Sequence, residues 1–127
     1  MIKQVIKIKQ YWTIIVYYNI DYNRLSVIKK DVNQLEPPLE DIDDVFDKLQ
    51  SGVAKGVTIN NPNNRITIVL INKSNDKYDL INTVFHEVYH VHSFISEYYN
   101  LVPNSEPSAE LIGFIIQKMY RVLKLLI

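Results

Sequence analysis

The chain of 127 residues contains no cysteine, which excludes disulfides and thiolate metal sites and leaves imidazole and carboxylate as the groups able to hold a metal. It also lacks net charge, since fourteen lysines and arginines balance fourteen aspartates and glutamates. No overall field draws such a chain to nucleic acid or to an anionic membrane, and neither is expected as a partner. The apolar run Tyr11-Trp12-Thr13-Ile14-Ile15-Val16-Tyr17-Tyr18 is too short to span a bilayer. Lysines at 3, 7 and 9 ahead of it give the outline of a secretory signal, but the small-residue cleavage site is missing. A cytoplasmic location is therefore expected.

Apolar residues make up 47% of the chain, enough for one core, and a single domain over 1–127 is expected. The β-branched and aromatic run from Tyr11 reads as a strand, with Ile2 to Ile8 as its partner or lead-in. Leu25, Ile28, Val32 and Leu35 recur at helical spacing between Asn23 and Leu35. Pro37-Pro38 ends that helix and opens another, Leu39 to Gln50, which carries Leu39, Ile42, Phe46 and Leu49 on one face and Gly52 as its C-cap. The acidic residues Glu40, Asp41, Asp43 and Asp44 lie near its positive end; they lack the alternating oxygen ligands and central glycine of a calcium loop and read as a solvated face. Gly56 to Asn60 and Arg65 to Ile71 read as a hairpin about Asn61-Pro62-Asn63-Asn64, the first strand at the sheet edge and the second inside.

Chemistry concentrates in the helix predicted from about Tyr78 to Asn100. Leu80, Ile81, Val84, Phe85, Val88, Val91 and Ile95 cover most of its circumference and predict a largely buried helix. Within it stands His86-Glu87-Val88-Tyr89-His90. Residues four apart on a helix lie one above the other, so His86 and His90 can direct two ring nitrogens at a single ion, with Glu87 beside it. Zinc lowers the pKa of a bound water to about 7, and a carboxylate so placed can take the remaining proton as the water attacks a carbonyl. Chance alone produces this pattern in a chain of this length roughly a few times in a thousand.

A catalytic zinc takes three protein ligands, and the third must come from elsewhere. His92 lies on a different face of the same helix and reads as a surface or supporting histidine. Glu106 is the better candidate, at the start of a last helix that Pro107 dates to about Ser105. Glu110, one turn on, could accept the second ring N–H of a ligand histidine and fix its tautomer. Ordinary acidic decoration of a helix N-terminus is the alternative for both carboxylates, and the two-histidine motif ahead of them weighs against it. Gly113, seven residues past Glu106, is expected to let the two helices approach closely.

The motif with its downstream Glu106-Pro107-Ser108-Ala109-Glu110 resembles the gluzincin branch of the zincin metallopeptidases. The run from Gly56 to Tyr120 is similar to small single-domain zincins of bacteriophages and mobile elements of gut bacteria. There a hairpin leads into Asn82-Thr83-x-x-His86-Glu87-x-x-His90, and a second helix carries Glu106-x-x-Ala109 and Leu111-x-Gly113-Phe114. The resemblance implies zinc ligands His86, His90 and Glu106, Glu87 as general base, and an edge strand, Gly56, Val57, Thr58 and Ile59, that lines the substrate cleft. It departs from the family at Glu110, where relatives often carry an aromatic residue.

The expected fold is α+β and zincin-like: a small, twisted, mostly antiparallel sheet packed on helices, with the histidine-bearing helix followed by a glutamate-bearing one. The expected function is zinc-dependent hydrolysis of a peptide bond in a peptide or protein substrate. The alternative is a catalytically inactive or structural zinc-binding domain that works as a protein-binding module. Nine tyrosines leave no single residue, Tyr89, Tyr98 or Tyr99 included, marked as an oxyanion stabiliser, and the oligomeric state is not encoded in any pattern.

Overall fold

The computed structural model describes residues 1–35 and 42–127, which fall into two compact units, Met1–Lys73 and Ser74–Ile127. The Pro37-Pro38 break and the expected helix start at Leu39, with Glu40 and Asp41, lie outside the described residues.

The first unit is built on two hairpins. Strands β1 (Ile2–Ile8) and β2 (Trp12–Tyr18) pair antiparallel, as do β3 (Gly56–Asn61) and β4 (Ile66–Ile71). The inner strands β2 and β4 then pair in parallel, Thr13 beside Ile66 and Tyr18 beside Ile71, to give one mixed sheet in the order β1-β2-β4-β3. A parallel seam between two hairpins has a geometric consequence: both hairpin turns lie at the same end of the sheet. There the Thr13 amide donates to the Arg65 carbonyl at 3.0 Å. As the sequence pattern predicts, the apolar β4 is interior and the more polar β3 is an edge. Alternation along a strand points Tyr17, Ile59, Ile68 and Leu70 to one face. That face meets Ile28 and Val32 of α1 (Leu25–Val32) and Val45, Phe46 and Leu49 of α2 (Ile42–Gln50) in one core. Each such side chain contributes roughly 1.5–3 kcal/mol on burial.

Local signals account for the helix ends. Asp21 accepts from the Asn23 amide at 3.0 Å and opens a short 3₁₀ turn ahead of α1, so the helix itself begins two residues later than the pattern predicts. Gly52 adopts φ 81° after α2, the left-handed position that glycine takes without penalty. Among non-glycine residues φ is positive at Asn19, Asn100 and Asn104, where asparagine is well tolerated, and at Lys9 and Arg65, where a left-handed backbone costs about 1–2 kcal/mol each.

One polar cluster ties the sheet to α1. The Tyr17 hydroxyl donates to Asp31 at 2.5 Å, and Lys3 Nζ lies 2.9 Å from the same carboxylate. Burial, then the Asp31 carboxylate, raises the Tyr17 pKa. Burial works to raise that of Asp31 as well, but the Tyr17 and Lys3 hydrogen bonds outweigh it and hold the carboxyl below its ordinary value.

The second unit is a pair of helices, α3 (Lys77–Tyr98) and α4 (Glu106–Leu126). Asp76 caps α3 by accepting from the Tyr78 amide at 2.8 Å, and Ser105 caps α4 with Pro107 in its first turn, as expected. Leu80, Val84, Val88, Val91 and Ile95 of α3 are buried. The expectation of a largely buried helix holds at these residues and fails at Phe85, which is 44% exposed; Tyr89 is 63% exposed. Apolar residues on most of a helical wheel signal burial only if every side finds a partner, and one side of α3 does not. The expected role of Gly113 also fails: a Cβ there would meet nothing within 4 Å, so no close helix approach requires glycine. Among the described residues no helix is long and apolar enough to cross a membrane.

Candidate metal centre

Helical spacing brings His86 and His90 together. Their Nε2 atoms are 3.2 Å apart and their rings meet edge-on with centroids 4.9 Å apart. Two Zn–N bonds of about 2.0–2.1 Å at a tetrahedral angle put the nitrogens about 3.3–3.4 Å from each other, so the spacing of the pair fits a shared zinc ion. The rings stand in an aromatic setting. Tyr89 lies 5.8 Å from His90 edge-on, and Phe94 stacks on it at 6.4 Å, centroid to centroid.

The pair sits on the side of α3 that faces solvent, with His86 exposed and His90 half-buried. A buried helix would make unsatisfied histidines costly, but these two rings are not buried. The cost applies to Glu87 alone. Its side chain is 4% exposed, and a carboxylate so placed persists only with polar partners around it. No buried polar side-chain atom among the described residues lacks such a partner.

The carboxylates of α4 do not join the pair. Glu106 and Glu110 are both exposed, and among the described residues no three His, Cys, Asp or Glu side chains form a group placed to hold a metal. The reason is rotational. Helix α4 meets α3 through His92, whose Nε2 lies 3.0 Å from the Ser108 carbonyl, 3.1 Å from Ser108 Oγ and 3.3 Å from Ser96 Oγ. Two residues of α-helix turn the chain by about 200°, so His90 looks away from the side on which α4 packs. The contact between the two helices in this region is made by His92 and Ser108.

Sequence reasoning missed Ser108, a buried serine in the first turn of α4. The available signal was a polar residue in register with the buried Ile115, Met119 and Leu123, which marks a core-facing position that needs a hydrogen-bond partner. Of the residues expected to line a substrate cleft, Gly56, Val57 and Thr58 are half-buried in edge strand β3, and Ile59 is turned into the core of the first unit.

Comparison with family models, with curated proteins and with solved structures returns no match.

Proposed function

We propose that His86 and His90 are two ligands of a zinc ion and that the protein is a zinc-dependent metallopeptidase of zincin-like fold. The observation that carries this reading is the 3.2 Å separation of the two Nε2 atoms within a His-Glu-x-x-His helix. Zinc bound there would supply a water of pKa about 7 and a Lewis acid for a peptide carbonyl. Glu87 would take the proton that such a water gives up, whereas Glu106 as third ligand and Glu110 as support of a ligand histidine require α4 to turn its first carboxylates towards the pair, which they do not join in this structure. The exposed rings of Phe85 and Tyr89 beside the pair suit a peptide substrate with apolar side chains. Edge strand β3, with Gly56, Val57, Thr58 and Ile59, is the element suited to pair with an extended backbone.

A specific observation favours a second reading. Helix α4 holds α3 by the His92 side, away from the pair, so a two-histidine site without Glu106 would bind zinc and leave the carbonyl chemistry undone. The protein would then act as a zinc-binding interaction module. Metal analysis of the purified protein followed by a peptide-library cleavage assay separates the two. Zinc with cleavage that Glu87→Gln removes supports the peptidase; zinc without cleavage supports the module; no zinc overturns both.

A further inference from the structure

The end of the sheet where the two hairpin turns meet carries a feature independent of the histidine pair. A cavity of about 210 Å³ opens there, lined by Lys7, Lys9, Gln10, Tyr11, Trp12, Thr13, Asn64 and Arg65. Three of these residues are cations and none is an acid. Among the described residues neither Lys7, Lys9 nor Arg65 forms an ion pair, whereas Lys3 and Lys48 each have a carboxylate within 3.0 Å. The charges come from separate hairpins, and only the parallel seam between β2 and β4 brings residue 65 beside residues 7 to 13. This is why a balanced sequence with no basic run conceals a basic pocket.

The backbone supplies a second observation. Among the described residues, Lys9 and Arg65 are the two outside glycine and asparagine held at positive φ, 46° and 52°, and both line this cavity. Glycine or asparagine would close either turn with less strain. Long cations at two such positions, converging on one cavity, are what a binding role selects against turn stability. The floor is fixed: Trp12 is 2% exposed, its Nε1 donates to Thr67 Oγ1 at 2.9 Å, and Thr67 donates in turn to Asn60 at 2.9 Å.

We propose that this cavity is a binding site for a phosphate group. Arg65 presents a planar fork of donors matched to a tetrahedral oxyanion, the two lysines add point charges, and Gln10, Thr13 and Asn64 offer neutral donors around them. The Tyr11 ring, 45% exposed at the rim, provides a face for whatever organic group the phosphate carries. The site does not depend on zinc or on peptide hydrolysis.

The test is an amide-resolved NMR titration of the protein with inorganic phosphate and with pyrophosphate, at ionic strength held constant by sodium chloride. Saturable shifts are expected at residues 7 to 13 and 64 to 65, with pyrophosphate bound more tightly than phosphate because it carries more charge. Lys9→Gly and Arg65→Gly relieve the turn strain and remove a charge together. Each variant is expected to melt at or above the parent temperature and yet to bind phosphate at least tenfold more weakly, and Arg65→Asn provides a second variant that keeps the turn. Absence of saturable shifts, shifts centred elsewhere, or equal affinity in parent and variants would overturn the proposal.

Discussion

Two histidine environments on one helix differ in what their ring nitrogens do. His92 is engaged by Ser108 and Ser96 and holds α4 against α3, whereas His86 and His90, less than two turns earlier, turn their Nε2 atoms towards each other on the solvent side. The same residue type in the same helix is thus a structural clasp in one place and a candidate ligand pair in the other. The difference teaches that a histidine's role follows from what faces it across the helix surface. A ring nitrogen that meets a carbonyl is committed to packing; two that meet each other at 3.2 Å stand at a separation that suits either a hydrogen bond between them or a shared ion.

The comparison can be broken most forcefully at Glu87, which lies beside the pair in sequence yet is buried. Under the peptidase reading, Glu87→Gln keeps the shape and removes the base, so zinc stays bound while peptide turnover falls by about 10² to 10⁴. Loss of zinc in that variant would make Glu87 a ligand. The carboxylates of α4 come next. If Glu106 completes the site, Glu106→Ala weakens zinc by more than the roughly 10 to 100-fold expected of Glu110→Ala, measured by competition with a chelating dye. The plain helix-terminus role predicts only a few tenths of a kcal/mol in stability for either change and an unmoved zinc affinity.

His92→Ala sharpens the contrast from the structural side. It leaves the buried Ser108 hydroxyl short of a partner and should cost about 1–3 kcal/mol in denaturant unfolding, with no effect on zinc. The smallest effect belongs to Gly113. Since a Cβ there meets nothing within 4 Å, Gly113→Ala should stabilise the protein by about 1 kcal/mol through helix propensity alone. A destabilised Gly113→Ala would mean that the residue does sit at a close contact.

The parts legible in the sequence were those set by local rules. Period-2 and period-3.6 patterns located the four strands of the described residues and the long helices, and Ser105 and Pro107 placed the start of the last one. The parallel β2 to β4 seam was not legible, because each hairpin satisfies its own turn chemistry and nothing local says which strands meet next. The same limit governed the site. His86 and His90 follow from helical spacing alone, but whether Glu106 reaches them depends on the rotation of α4 about α3. At that rotation His92 meets Ser108 and Ser96, short polar contacts that no periodicity reveals. The exposure of Phe85 and Tyr89 was hidden for a similar reason, since apolar residues on a wheel show what could be buried and not which side is covered.

The most direct measurement is the zinc dissociation constant of the parent protein and of His86→Ala, His90→Ala and His92→Ala, obtained by chelating-dye competition alongside metal stoichiometry. The account predicts one zinc per parent chain, loss of that zinc in His86→Ala and in His90→Ala, and an affinity within a few-fold of the parent in His92→Ala. Stoichiometric zinc retained by both His86→Ala and His90→Ala, or a parent protein that takes up none, would contradict it.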